Sequence, residues 1–124
     1  MMDISNPDST GKLRVTRFTL DGGAISCDFE GQVEGYGSVF VTHEYVYTSQ
    51  DQSGGIVTGE ARTFLEDGTQ LTTPHGGTFT QEQSVIRLYH TDLVSDGSIN
   101  FIITEINILT KDVNARLWTA RPAS

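Results

Sequence analysis

Two glutamates lie on predicted β-strands where a carboxylate could transfer protons. Glu60 lies in the segment VTGEARTF and Glu105 lies in INFIITEINIL. Burial inside a barrel without a cationic partner would raise the pKa of either carboxyl, so that the group could act as a general acid or base. An isomerase or a cyclase could use such a group at the mouth of a barrel. Glu60 and Glu105 are therefore the predicted candidate catalytic residues.

Arginine and aromatic side chains on the same and neighbouring strands could complete this site. Arg62, Arg87 or Arg116 could pair with a glutamate, and the rings of tyrosine and tryptophan combine apolar surface with a hydrogen-bonding group. The predicted ligand-binding residues are Tyr45, Tyr47, Glu60, Arg62, Tyr89, Glu105 and Trp118. The alternative for each charged residue is a cross-strand ion pair on a solvated face, which contributes only about 0.2–1 kcal/mol.

Glu60 and Arg62 share one face of their strand, and Val57, Gly59 and Ala61 share the other. Residues two apart on a strand are about 6.5–7 Å apart, so each charged group needs a partner on a neighbouring strand. An inward Glu60 without a cationic neighbour would favour an enzyme, whereas an outward Glu60 would favour a structural hairpin. We expect the structural hairpin, with the small residues of the other face packed tightly.

The three histidines, His43, His75 and His90, are widely separated and form no His-x-His pair. Histidines from distant strands can converge inside a barrel, but solvated or structural imidazoles are the default. We therefore predict no bound metal and no cofactor. Cys27 is predicted to be a small buried side chain, because it lies between two apolar residues on an alternating strand face. A nucleophilic role is not expected for it, because no basic residue near it in sequence would lower the pKa of its thiol.

Asp-Gly pairs divide the chain into runs rich in Val, Ile, Thr, Tyr and Phe. Asp-Gly favours tight hairpin turns because both residues tolerate positive φ, and it occurs at positions 21–22, 67–68 and 96–97. No segment shows a convincing helical period. The runs predict eight strands: Lys12–Leu20, Ala24–Gln32, Ser38–Thr48, Gly55–Leu65, Thr69–Phe79, Ser84–His90, Ser98–Leu109 and Asn114–Ala120.

Long strands joined by short loops are typical of a sheet that closes on itself. We therefore predict an all-β fold, a single eight-stranded antiparallel up-and-down barrel at 12–124, preceded by a flexible tail at 1–11. The alternative is a β-sandwich, with strands that switch sheets at Gly35–Gly37 and Pro74–Gly77. Several strands are partly apolar on both faces, so we expect other subunits of a homo-oligomer to cover the outer surface.

The pattern VTGEARTFLEDG, followed by SVIRLYH and LVSDGSINFIITEI, resembles a bacterial family of small proteins of unknown function. The fold of that family is similar to the allene oxide cyclase barrel. The resemblance covers roughly Lys12 to Trp118 and implies the same barrel for this chain. Cyclases, dirigent proteins and plain binding proteins share that barrel, so the resemblance implies a fold and no particular activity.

The net charge and the apolar runs of the chain indicate which kinds of binding partner are not expected. The 124 residues carry a formal net charge of −8, and a nucleic-acid partner is not expected because phosphate binding needs a basic surface. The longest apolar run, at Phe101–Thr104, is too short to span a bilayer, and the polar start of the chain resembles no signal peptide. We expect a soluble, cytoplasmic protein without a membrane partner.

Three functional hypotheses follow from the predicted barrel. The first is a barrel that binds a small hydrophobic molecule in its interior. The second is an isomerase or cyclase-type enzyme that uses a carboxylate in the cavity. The third is a structural or interaction protein whose interior is fully packed and holds no ligand. The volume of the interior cavity and the surroundings of any carboxylate in it discriminate among the three.

Overall fold

The alternating runs of the sequence form eight strands in a computed structural model that describes residues 5–123. The strands are β1 (Ser9–Asp21), β2 (Ala24–Val33), β3 (Gly37–Tyr47), β4 (Gly54–Phe64), β5 (Gln70–Glu82), β6 (Val85–Leu93), β7 (Ile99–Asn107) and β8 (Asp112–Arg121). Each strand pairs antiparallel with the next, and β8 pairs with β1 to close the barrel. The predicted all-β up-and-down barrel is confirmed, and the β-sandwich alternative is wrong. Residues 5–123 contain no helix long and apolar enough to cross a membrane.

Strand β1 starts closer to the N-terminus than the predicted barrel boundary at residue 12. It begins at Ser9, which pairs with Leu117 of β8. The contact continues one residue earlier, where the amide of Asp8 donates to the carbonyl of Leu117 over 2.8 Å. Residues 9–11 of the predicted tail therefore belong to the barrel, and residues 1–4 lie outside the described residues.

The Asp-Gly pairs form tight turns at the two ends of the barrel. Gly22 has a φ of 61°, Gly68 of 88° and Gly97 of 93°. These values lie in the left-handed region, where glycine has no steric penalty and most other residues do. The turns at 65–69 and 94–98 lie at the same end of the barrel as the β2–β3 turn, because the strands run up and down in order.

The interior has two unlike halves. The half near the β1–β2 and β3–β4 turns is filled by large apolar side chains, namely Ile25, Val57, Phe79, Ile86, Leu88, Ile106 and Val113. The other half contains the buried polar side chains of β3, β5, β6 and β7 beside a cavity. Small eight-stranded barrels are commonly filled throughout, so the second half is the part that could serve a function.

Several apolar side chains are exposed on the outer surface of β3 and β4. Phe40, Val46, Ile56 and Phe64 are each more than 40% exposed, and the rings of Phe40 and Phe64 meet edge to face with centroids 5.9 Å apart. This surface is consistent with the expected covering by other subunits. The homo-oligomer itself stays a prediction.

Candidate functional site

Strand pairing brings together histidines that are far apart in sequence. His43 on β3 pairs with Gly59 on β4, and Gly59 pairs with His75 on β5. Gly59 has no side chain, so the two rings meet across β4, with His43 Nε2 2.8 Å from His75 Nδ1. A Cβ atom at Gly59 would lie 2.2 Å from the carbonyl oxygen of Thr42 and 2.6 Å from His43 Cδ2. The glycine in the centre of VTGEAR therefore makes the contact between the imidazoles possible.

The next strand adds the third histidine and a carboxylate. His90 and Asp92 both point inward from β6, and His90 Nδ1 lies 3.0 Å from Asp92 Oδ1. The other ring nitrogen, His90 Nε2, lies 3.2 Å from the hydroxyl of Thr104 on β7. The rings of His75 and His90 stack with centroids 5.0 Å apart. We call His43, His75, His90 and Asp92 the histidine–aspartate cluster.

The ring nitrogen Nε2 of His75 is weakly bonded. It faces Asp92 Oδ2 at 3.5 Å, which is longer than an ordinary hydrogen bond, and it has no hydrogen-bond partner among the described residues. The side chain of His75 is only 5% exposed. A buried nitrogen without a partner costs about 1–3 kcal/mol, so this atom has free capacity for a ligand or an ion.

Burial keeps two of the imidazoles neutral. The pKa of His43 lies well below its usual value, first because burial disfavours the charged ring and then because His75 and His90 lie nearby. Burial also lowers the pKa of His75 to about 4, although Asp92 opposes this shift. At pH 7 the imidazole of His75 therefore carries no charge that could neutralise the carboxylate of Asp92.

Tyr45 and Cys27 are two further buried side chains with shifted pKa values. The hydroxyl of Tyr45 lies 3.1 Å from His43 Nδ1, and burial raises the pKa of Tyr45 well above its usual value. Cys27 is fully buried, and burial raises the pKa of its thiol to about 12. As predicted, Cys27 is a small buried side chain, and its thiol is protonated at neutral pH.

A cavity of about 60 Å³ lies beside the cluster. This volume holds a few water molecules or a ligand of few heavy atoms without rearrangement. Apolar side chains line one part of it, including Leu13, Phe29, Val39, Val41, Ala115 and Leu117, and the cluster lines the other part with Asn100 and Thr104. Tyr36, on the β2–β3 turn, adds its half-buried ring, and Asn100 Nδ2 donates to the Tyr36 hydroxyl over 3.0 Å.

The predicted catalytic glutamates lie on the outer surface. Glu60 and Arg62 are exposed on β4, as expected for a structural hairpin. Glu105 is exposed on β7, where its Oε2 accepts a hydrogen bond from Arg87 Nη2 over 2.7 Å. The carboxylate that lines the cavity is that of Asp92, which was not among the predicted site residues.

The predicted aromatic residues separate into two groups. Tyr45 and Tyr47 point inward, but Tyr47 lies at the packed end, where its hydroxyl donates to Gln81. Tyr89 lies on the outer face of β6, and Trp118 lies on the outer face of β8 beside Phe101. Of the seven predicted ligand-binding residues, Tyr45 contacts His43, which lines the cavity.

Three cavity residues missed by the sequence interpretation, Asp92, Asn100 and Thr104, have one common signal. In VIRLYHTDL, Ile86, Leu88, His90 and Asp92 alternate, so an apolar inward face becomes polar towards one end of its strand. Asn100 and Thr104 continue the same change on β7. Polar residues at the end of an inward face indicate a lined cavity, because a buried polar group needs a partner.

The donor atoms of His75, His90 and Asp92 lie within 4.8 Å of one another, so these residues could hold a metal ion. The prediction of no metal rested on the separation of the histidines in sequence, which strand pairing removes. No protein-family model, curated protein or solved structure matches the chain. Fold and site together define a closed eight-stranded barrel with a histidine–aspartate cluster beside an interior cavity.

Proposed function

We propose that the barrel binds a small, mostly apolar molecule in the cavity beside the histidine–aspartate cluster. The observation that carries this proposal is the division of the interior into a filled apolar half and a half with a cavity of about 60 Å³, which apolar side chains line together with the histidine–aspartate cluster. Buried imidazoles and a carboxylate destabilise a small barrel unless their hydrogen bonds are satisfied. A barrel with only a structural role has no need of them.

The chemistry of the lining favours a ligand with one hydrogen-bond donor. Asp92 accepts hydrogen bonds, and the neutral His75 has a buried nitrogen without a partner. A hydroxyl or an amine can donate to either group, whereas a carboxylate ligand would meet the charge of Asp92. The apolar part of the ligand would contact the Phe29 and Leu117 side of the cavity.

A thermal-shift screen with small aliphatic and aromatic alcohols and amines tests the proposal. A ligand at 100 times its Kd stabilises the native state by about 2.7 kcal/mol and raises Tm accordingly. Two substitutions on β8 provide the matched pair: Ala115→Leu fills the cavity, and Ala120→Leu adds the same atoms to an exposed position. The wild type and the Ala120→Leu variant should respond to the same alcohol or amine, and the Ala115→Leu variant should not.

Two results would contradict ligand binding in this cavity. One is the absence of any Tm shift across the screen at millimolar concentrations. The other is an equal shift for the Ala115→Leu and Ala120→Leu variants, which would place the binding on the outer surface. The first result would favour a structural or interaction barrel that holds no ligand.

A proton-transfer enzyme of the isomerase or cyclase type is the second candidate. The observation that favours it is a carboxylate inside the cavity, because Asp92 has the neutral ring of His75 on one side. A base of this kind could remove a proton from a bound ligand and return it at another carbon. A ligand found in the screen should then be converted by the wild type and only bound by the Asp92→Asn variant. Mass spectrometry and NMR of the recovered ligand check this, and unchanged ligand after prolonged incubation with the wild type contradicts it.

The relationship to the allene oxide cyclase-like barrels also stays a prediction. The support for it is the shared closed eight-stranded barrel and the segments that carry the resemblance in sequence. Fold similarity does not transfer an activity, so the two candidate functions rest on the cavity and its lining.

A further inference from the structure

We propose that His75, His90 and Asp92 bind one divalent transition-metal ion at the edge of the cavity. The ligands would be His75 Nε2, His90 Nδ1 and the carboxylate of Asp92, and donor atoms of these three residues lie within 4.8 Å of one another. Two imidazoles and one carboxylate are a common ligand set for Zn²⁺ and for other first-row divalent ions. This inference is independent of the proposed organic ligand, although the two sites would share the cavity.

The distance between His75 and Asp92 suits coordination better than it suits a hydrogen bond. Around a tetrahedral Zn²⁺ with bonds of about 2.0–2.2 Å, neighbouring ligand atoms are separated by about 3.3–3.6 Å. His75 Nε2 and Asp92 Oδ2 are 3.5 Å apart, within this range, and His90 Nδ1 and Asp92 Oδ1 are 3.0 Å apart. The second pair must open by only a few tenths of an ångström. His75 Nε2 has no other hydrogen-bond partner among the described residues, which leaves it available for an ion.

Neighbouring side chains offer the hydrogen bond that a metal-binding histidine makes through its second ring nitrogen. A histidine that binds a metal through one nitrogen usually donates a hydrogen bond from the other. His90 Nε2 can donate to the hydroxyl of Thr104 at 3.2 Å, and His75 Nδ1 can donate to His43 Nε2 at 2.8 Å. His43 in turn can donate from Nδ1 to the hydroxyl of Tyr45 at 3.1 Å. An ion at His75 Nε2 would select this direction of the hydrogen-bond chain.

A bound cation would also compensate the negative charge of the buried Asp92 carboxylate. The carboxylate of Asp92 is 7% exposed, and its ion-pair partners among the described residues are the two histidines. A buried carboxylate is costly, and a divalent cation bound to it offsets that cost. The three ligands all line the cavity, so the remaining coordination position would face the cavity and could take water or a bound molecule.

Calorimetry with ZnCl₂ tests the site in the full chain after treatment with EDTA and dialysis. We expect one Zn²⁺ per chain, and visible absorption of tetrahedral Co²⁺ when CoCl₂ is used. Asp92→Asn and His90→Gln should each weaken Zn²⁺ binding at least tenfold. Glu60→Gln is the matched control, because it removes a carboxylate from the exposed face of β4 and should leave the affinity unchanged.

Three outcomes would overturn the proposal: no binding at millimolar ZnCl₂, equal weakening by Glu60→Gln and Asp92→Asn, or wild-type affinity in both cluster variants. X-ray absorption of the Co²⁺-loaded wild type tests the site without any substitution. Two imidazole ligands in the first shell support the site, and a shell of oxygen atoms alone contradicts it. No Zn²⁺ binding by the wild type, together with a Tm response to alcohols, would refute the metal site and leave the proposed ligand binding intact.

Discussion

Acid should destabilise the barrel because the buried imidazole of His75 must stay neutral. Its pKa is about 4, against 6.5 for an unperturbed histidine. At pH 5 the unfolded chain is almost fully protonated at this residue and the folded chain is mostly not. The difference lowers the free energy of unfolding by about 2 kcal/mol between pH 7.5 and pH 5. The loss begins near pH 6.5, the unfolded pKa, and levels off below pH 4, the folded pKa.

Urea unfolding in the presence of EDTA, followed by circular dichroism at pH 7.5 and pH 5, measures this effect. The His75→Gln variant lacks the titrating ring, so its free energy of unfolding should fall by about 2 kcal/mol less than that of the wild type over this interval. His43 remains in the variant and still lowers stability in acid, because burial lowers its pKa as well. An equal fall in wild type and variant would show that the folded protein accepts a proton at His75, and would refute the neutral, buried ring.

Three substitutions and one control test other parts of the structure by urea unfolding. Gly59→Ala should cost about 3 kcal/mol or more, because the new Cβ would lie 2.2 Å from a backbone oxygen of β3. Gly76→Ala, where a Cβ meets no atom within 4 Å, should change stability by less than about 1 kcal/mol, and equal effects would contradict the close approach at Gly59. Tyr36→Phe should cost about 1–3 kcal/mol, because the 3% exposed Asn100 loses its acceptor; a neutral result would mean that water replaces it. Arg87→Ala should cost at most about 1 kcal/mol, since its ion pair is about half exposed, and a larger loss would contradict a screened surface pair.

The fold could be predicted because its signals are local. Asp-Gly pairs mark turns wherever they occur, and the alternation of residues such as Val39, Val41 and His43 marks a strand without knowledge of its neighbours. Short connections then leave an up-and-down order as the simplest topology. Each of these inferences depends on a few consecutive residues, and the structure confirms the barrel that they predict.

The site depends on strand register, which the sequence does not show directly. His43 and His75 are 32 residues apart, and they meet only because both pair with Gly59. A shift of one residue would turn either ring to the outer surface. Glu60 was predicted as a catalytic residue because it is a charged group on a strand. The carboxylate that does point inward, that of Asp92, lies at the end of an apolar face. A polar residue at an inward-facing strand position is therefore a better indication of this site than charge alone.

The central claim is that the three histidines meet inside the barrel beside Asp92, and NMR of their imidazole nitrogens tests it most directly. The chain has only three histidines, so each ring can be assigned in a ¹⁵N-labelled sample at pH 5.5. We expect neutral rings for His43 and His75, with a coupling across the hydrogen bond between His43 Nε2 and His75 Nδ1. Two protonated, rapidly exchanging rings without that coupling would contradict it.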